Sequence, residues 1–166
     1  MRNVLVMCLL LCIAGSIAAL EPFSPDGISF GIGPEVNAFS RDSAAIGGNL
    51  FFGLELNSKY TIGLKAAFYH NMDTVGALEP LAYFRYYLPY WRPLQFDGPF
   101  IQTELGFAVL FEDGEAFPAF SGAVTSGWRF NFAKQWFVEP AVRLGYPFNW
   151  GFNLTAGYSF LFNIGQ

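Results

Sequence analysis

Apolar side chains alternate with small or polar ones in short segments along most of the chain. The first segment, ISFGIG at residues 28–33, has Ile or Phe at every second position, and the last, FNLTAGYSFLF at residues 152–162, has the longest alternation. A period of two is that of a β-strand with two different faces, whereas an amphipathic helix repeats its apolar positions every 3.6 residues. The pattern therefore predicts strands of about ten residues.

Eight such segments can be counted after residue 27. The breaks between them are rich in turn-forming residues and lie at 40–43, 57–59, 71–76, 89–98, 112–116, 131–135 and 147–151. Eight antiparallel strands joined by short connections predict an up-and-down barrel or a meander sandwich. Closure into a barrel has the advantage that it leaves no strand edge exposed.

Charged residues within the segments all have the parity of the small and polar face. This set comprises Glu35, Glu55, Lys65, Glu79, Arg85, Glu104, Arg129, Glu139 and Arg143. The apolar face carries no charge. We therefore predict one face that is uniformly apolar and one that holds a cluster of nine charges.

This asymmetry separates two kinds of barrel. A soluble, lipocalin-like barrel would bury the apolar face inside. Its outer face, which must then keep the protein soluble, would carry only nine charges among Gly, Ala, Ser and Thr. A membrane barrel turns its apolar face to lipid, where a charge costs about 2–4 kcal/mol at mid-bilayer, and strands of about 9–11 residues are long enough to cross. The sequence therefore favours an all-β fold, an eight-stranded antiparallel up-and-down transmembrane β-barrel, with the nine charges in its lumen.

The segment WFVEPAVRLGY, residues 136–146, illustrates how the lumen charges must pair. Glu139 and Arg143 lie on the same face of a strand but roughly 13 Å apart, at about 3.3 Å per residue. We therefore expect their partners to come from neighbouring strands. An eight-stranded lumen is filled by side chains, and Pro80 and Pro140, each after a glutamate, predict local breaks in the strand ladder.

Aromatic residues gather near the ends of the segments, as in the girdles of membrane barrels. They are Tyr60, Tyr86, Tyr87, Tyr90, Trp91, Trp136, Tyr146, Phe148 and Trp150. Of these, Tyr90, Trp91, Trp136, Tyr146 and Trp150 are predicted to form the interfacial set.

The N-terminus has the features of a secretory signal peptide. Arg2 precedes the apolar run VLVMCLLLCIA, and small residues follow at 16 and 18. We predict a cleaved signal peptide at 1–18, a lead-in at 19–27 and the barrel at 28–166. Cleavage would remove Arg2 and both cysteines, leaving 8 basic and 13 acidic residues, net charge −5, with no possible disulfide. Without a basic surplus, nucleic acid is not an expected partner.

Candidate chemistry is sparse, although 53% of the residues are hydrophobic and only 13% are charged. His70 is the single histidine, at an outward position near a segment end, and it has no nearby cysteine or serine with which to form a metal site or triad. The Gly-x-Gly of FGIGPEV opens no helix, so it does not predict a phosphate site. We predict no catalytic residue, no metal and no cofactor.

Taken together, the chain resembles the small eight-stranded outer-membrane proteins of diderm bacteria, of the OmpX, OmpW and Opa type, and the barrel domain of OmpA. The resemblance covers residues 28 to about 164 and is carried by the signal peptide, the eight segments, the inward charges and the aromatic ending YSFLF. It implies an outer-membrane location with lipid as a partner, and a C-terminal strand, Tyr158 to Phe162, that is recognised by the barrel insertion machinery. Proteins of this type often end on a phenylalanine, whereas in this chain NIGQ follows Phe162.

If the N-terminus is periplasmic, as in that group, the breaks 40–43, 71–76, 112–116 and 147–151 face outside and carry net charge −4, whereas the inner ones carry +2. The long break at 89–98 would then lie on the periplasmic side, where turns are normally short.

Three functions remain open from the sequence. The first is a non-enzymatic outer-membrane barrel with a structural role, or with narrow passage of a small apolar or polar solute through or beside the charge-lined lumen. The second is a surface adhesin or host-interaction protein acting through its loops, against which the short acidic breaks count. The third is a soluble lipocalin-like carrier. One barrel architecture hosts many functions, so the fold does not choose among them.

Overall fold

The computed structural model describes residues 25–38, 44–57, 59–71, 76–88, 96–112, 115–133 and 135–162. The predicted signal peptide, both cysteines, Tyr90 and Trp91 lie outside these residues. No helix in the described part of the chain is long and apolar enough to span a membrane.

Eight strands form the fold. Their bounds are Pro25–Ala38 (β1), Ala44–Leu56 (β2), Tyr60–Asn71 (β3), Gly76–Tyr87 (β4), Gly98–Glu112 (β5), Glu115–Phe132 (β6), Trp136–Tyr146 (β7) and Trp150–Leu161 (β8). Each strand pairs antiparallel with the next, and β8 pairs with β1 to close the barrel. The predicted eight-stranded antiparallel up-and-down barrel is therefore confirmed.

The strands are strongly staggered around the barrel. A path that starts at Ala116 on β6 and follows paired residues through β5, β4, β3, β2, β1, β8 and β7 returns to β6 at Ser126, ten residues further along. Such a stagger requires strands tilted by about 35–45° from the barrel axis. The lumen is consequently narrow enough for long side chains to reach across it.

Alternation along the strands separates two surfaces. The outer surface carries large exposed apolar side chains, including Ile32, Leu50, Leu64, Leu105, Phe107 and Leu144. From residue 27 to 161, no outward position of a described strand holds Asp, Glu, Lys or Arg. One charge departs from the expected parity: Asp26, predicted to precede the barrel, lies within β1 beside a register shift between Pro25 and Gly27.

Strand boundaries differ from the prediction by one or two residues at the breaks 71–76, 89–98, 131–135 and 147–151, and more clearly at two other places. β1 begins at Pro25, inside the predicted lead-in at 19–27, because the Phe162 N–H at the end of β8 donates to the Asp26 carbonyl at 2.7 Å and extends the closing ladder. β5 extends to Glu112 and β6 begins at Glu115. Most of the predicted break at 112–116 is therefore strand.

Prolines interrupt the ladders, as Pro80 and Pro140 predict. Pro80 pairs with Ala66 of β3 but has no paired residue on the β5 side, and Pro140 pairs with Leu154 of β8 but has none on β6. Pro34 behaves in the same way, paired with β2 and unpaired on the β8 side. Each proline thus pairs with one neighbouring strand, and its nitrogen, which carries no hydrogen, faces the other strand.

Candidate functional site

All nine predicted lumen charges lie inside the barrel. None of them is more than 6% exposed, and Glu55, Glu79, Glu104 and Arg129 are fully buried. They form seven ion pairs among the described residues. By their ion pairs they form two networks along the barrel axis, and Gln102 links the two: it accepts from Arg85 at 2.8 Å and donates to Glu104 at 2.7 Å.

The upper network lies toward the end of the barrel that carries connections 39–43, 72–75, 113–114 and 147–149. Lys65 Nζ lies 3.0 Å from Glu35 and 3.5 Å from Glu104. Arg143 bridges Glu104, at 3.1 Å, and Glu79, at 3.2 Å. With three carboxylates and two cations, this network has a formal charge of −1.

The lower network lies toward the opposite end and is balanced, with two carboxylates and two cations. Arg129 pairs with Glu55 at 2.6 Å and also with Glu139, which in turn accepts from Arg85 at 2.7 Å. Both guanidinium groups also lie over aromatic rings: Arg85 is 4.0 Å from the ring centre of Phe100, and Arg129 is 4.0 Å from that of Phe137. Such contacts add attraction in a site removed from water.

The predicted source of the partners was wrong for most pairs. Only Arg129 and Glu139 lie on adjacent strands, β6 and β7; the other six pairs join strands two to four places apart around the barrel. The physical reason is the narrow lumen, in which Arg and Lys side chains reach the far wall. Glu139 and Arg143 have no pairing with each other and belong to different networks.

Uncharged polar residues complete the upper network and were not identified from the sequence. Tyr69 OH donates to Glu35 at 2.8 Å, Ser121 Oγ to Glu79 at 2.7 Å, and Gln102 and Thr125 to Glu104 at 2.7 and 2.9 Å. Their strand parity, which matches that of the charges, is the signal that could have found them.

Aromatic rings fill the lumen and close its ends. At the upper end, Phe148 from the β7–β8 connection packs edge-on against Tyr69, with ring centres 5.0 Å apart, and is 1% exposed. At the lower end, Phe96 packs against Tyr87 in the same way at 5.6 Å. Tyr87 and Phe148 were noted among the aromatic residues near segment ends but not placed in the predicted interfacial set; both side chains point inward, where they cap the charged networks.

One opening among the described lumen residues is small. It has a volume of about 20 Å³ and touches both networks, with Lys65, Arg85 and Glu139 among its lining residues. A cavity needs roughly 10–15 Å³ to hold one water molecule. Asn49, whose Nδ2 has no protein partner among the described residues, also lines it.

The remaining predicted aromatics lie on the outer surface at strand ends. Trp136 starts β7 at the lower end, whereas Tyr146 and Trp150 stand at the upper end of β7 and β8, and all three are at least half exposed. Trp136 also packs against Tyr158, with ring centres 5.0 Å apart.

His70 is exposed on the outside of β3, close to its upper end, opposite Ile46 and Gly76. Within the described ranges, no three His, Cys, Asp or Glu side chains are grouped so as to hold a metal ion.

The barrel is similar to several solved structures. Neisserial surface protein A matches with a TM-score of 0.61 at 14% identity, over 86% of this chain and 100% of that one. OprG, an outer membrane protein of Pseudomonas aeruginosa, matches with a TM-score of 0.58 at 14% identity, over 83% of this chain and 97% of that one. Ail, the attachment invasion locus protein of Yersinia pestis, matches with a TM-score of 0.56 at 16% identity, over 82% of this chain and 100% of that one.

At these identities the likeness establishes the fold, which is that of the small eight-stranded outer-membrane barrels. No protein-family model matches the chain, and no curated protein matches its sequence.

Proposed function

We propose that this chain is a non-enzymatic bacterial outer-membrane barrel that spans the membrane and whose lumen is closed to solutes. Its outward strand positions are free of charge over the described residues between 27 and 161, as a lipid-facing surface requires. Similar folds include an outer membrane protein of Pseudomonas aeruginosa and a surface protein of Neisseria, which supports the same location. Lipid is then the main partner of the outer surface.

The observation that carries closure is the filling of the lumen. Six of its seven ion pairs cross it, Phe96 and Phe148 cap it, and the opening that touches both networks is about 20 Å³. Drug-sized ligands occupy pockets of about 300–1,000 Å³. Structural support of the membrane is therefore favoured over passage of a solute through the barrel, and a lipocalin-like carrier is disfavoured because it would need an apolar cavity.

The orientation we propose has the N-terminus in the periplasm after removal of the signal peptide at 1–18. The β5–β6 hairpin then projects outside. The long connection at 89–98 lies on the periplasmic side, and its end folds back into the barrel, because Phe96 is buried and Gly98 is already paired with Arg129. The C-terminal strand, from Tyr158 to Phe162, would be the segment that the insertion machinery binds.

A second candidate function is a surface interaction. It is favoured by the β5–β6 hairpin, whose exposed Phe111 and Phe117 extend past the ends of β7 and β8. Ail, named as an attachment invasion protein, shares the fold.

Single-channel conductance in a planar bilayer tests the closed lumen. The refolded chain is first shown by liposome flotation to be inserted, and the Glu104→Gln and Arg143→Ala variants are measured beside it. We expect no discrete conductance steps from the inserted wild-type chain. Steps from the wild type that change with these variants would contradict closure and establish a charged path; steps from the variants alone would identify the network as the plug.

A further inference from the structure

The upper end of β6 has a strand neighbour on one side only. Glu112 pairs with Glu115 at the tip of the β5–β6 hairpin, and β5 accompanies β6 all the way. On the other side, β7 ends at Tyr146 opposite Gly122, and the Ser121 hydroxyl donates to the Tyr146 carbonyl at 3.2 Å. Residues 115–120 therefore form an open edge, with no strand beside it among the described residues, about 20 Å long at 3.3 Å per residue.

This open edge (residues 115–120) cannot lie in the hydrocarbon of a membrane. Unpaired N–H and C=O groups there would each cost several kcal/mol, and open sheet edges facing lipid do not occur. The side chains agree, because alternation of burial stops at the edge: residues 115–118 are all exposed, and Phe117, although of inward parity, is 47% exposed. The open edge therefore stands in water or headgroups beyond the barrel rim.

Pro118 determines which backbone groups the open edge presents. Pro118 is paired with Val109 of β5. By the behaviour of Pro34, Pro80 and Pro140, which keep one ladder and interrupt the other, its nitrogen faces away from that partner and toward the open side. Ala116 and Phe120, two residues away on either side, have the same orientation. Each offers an N–H and a carbonyl to the open side, and Pro118 adds a carbonyl.

A second copy in the same membrane cannot cover this edge. Two copies inserted in the same direction are related by an axis normal to the membrane. Their β6 strands would both be tilted by about 35–45° and would cross at roughly 80°, so no ladder could form between them. The occupant must therefore be a strand whose direction is not fixed by insertion in the same membrane.

We propose that the open edge binds an extended segment of another protein as an added strand, at the outer end of a membrane-inserted barrel. Main-chain hydrogen bonds supply the affinity in this mode, and side chains on alternating positions supply the specificity. The segment has apolar residues beside Phe117 and Phe120, and a Lys or Arg near the exposed carboxylates of Glu112 and Glu115. The proposal rests on the proposed membrane insertion.

The test uses the full chain in phosphatidylcholine nanodiscs and a labelled nonapeptide of alternating Val and Lys, with binding followed by fluorescence anisotropy. The control peptide has the same side chains but is N-methylated at every second residue, which removes its ladder hydrogen bonds. We expect binding of the first peptide and loss of binding of the second. Absence of binding, or equal binding of both peptides, would overturn strand addition.

Two variants of the open edge sharpen the result. Ala116→Pro removes one N–H from the open side but none from the β5 ladder, and should weaken binding about fivefold, whereas Pro118→Val restores an N–H and should strengthen it about fivefold. Unchanged affinity in both variants would overturn the proposal. Insertion is established beforehand by flotation. A chain that fails to enter lipid would contradict the proposed function itself. An inserted chain that does not bind the peptide would contradict only strand addition.

Discussion

The buried charges should be costly to uncouple, and Arg129 provides the sharpest case. Its guanidinium pairs with Glu55 at 2.6 Å and with Glu139, and all three residues are at most 2% exposed. In Arg129→Met, Glu139 keeps Arg85 at 2.7 Å, but Glu55 keeps, among the described residues, only the Ser159 hydroxyl at 3.4 Å. Leaving one buried charge unpaired destabilises a protein by about 3–5 kcal/mol.

A second substitution separates charge from packing. Arg129→Met also removes the stacking on Phe137, which is worth up to about 2 kcal/mol. Adding Glu55→Gln removes the uncompensated charge but does not restore that stacking. The double variant should therefore lie within about 2 kcal/mol of the wild type, although the single variant lies 3–5 kcal/mol below it, on the order-of-magnitude estimates for a broken pair.

Urea unfolding in phosphatidylcholine vesicles, followed by tryptophan fluorescence, measures both variants. With a slope of about 2 kcal/mol per molar urea, the single variant should unfold roughly 2 M earlier than the wild type. An unchanged midpoint would mean that water screens the lower network. A double variant as unstable as the single one would mean that packing on Phe137, rather than the charge of Glu55, sets the cost.

Three other changes test different parts of the barrel. Leu105→Lys, at a lipid-facing position, should lower the free energy of unfolding in lipid by about 2–4 kcal/mol or block insertion; normal folding in liposomes would contradict the membrane assignment. Arg143→Ala should destabilise by about 3–5 kcal/mol, because it leaves two buried carboxylates without an arginine; an unchanged midpoint would indicate a hydrated upper network. Gly47→Ala should impair folding, since the new Cβ would stand 1.7 Å from the Phe68 carbonyl oxygen, whereas Gly76→Ala, with nothing nearer than 3.8 Å, should fold normally by electrophoretic mobility.

The fold was accessible from the sequence because two environments act on every strand. Lipid on one side and a narrow lumen on the other enforce a period of two, so the inward parity of residues such as Glu104 and Arg143 could be read directly. The same logic explains the error at β6. Beyond the rim neither environment applies, and residues 115–118 are all exposed with no alternation, so the strand was expected to begin later than Glu115.

The pairing within the lumen could not be derived in this way. Which carboxylate meets which cation depends on the stagger of the strands and on side-chain reach, and neither is encoded in a single segment. Tyr87 illustrates the same limit. A tyrosine near a strand end is equally compatible with a position at the membrane interface and with one that caps the lumen. Only the inward parity of Tyr87, which it shares with Arg85, distinguishes these two positions.

The ion pairs that cross the lumen also constrain the order of folding. Glu55 and Arg129 are 74 residues apart in the chain, and Glu79 and Arg143 are 64 apart. Hairpins between neighbouring strands can form early, because their contacts are local, whereas contacts of long sequence separation form slowly. An assembly intermediate that contains β1 to β5 holds all of Glu35, Glu55, Glu79 and Glu104 but neither Arg129 nor Arg143. Such an intermediate must keep its inner face wet, so dehydration of the lumen marks completion of the barrel.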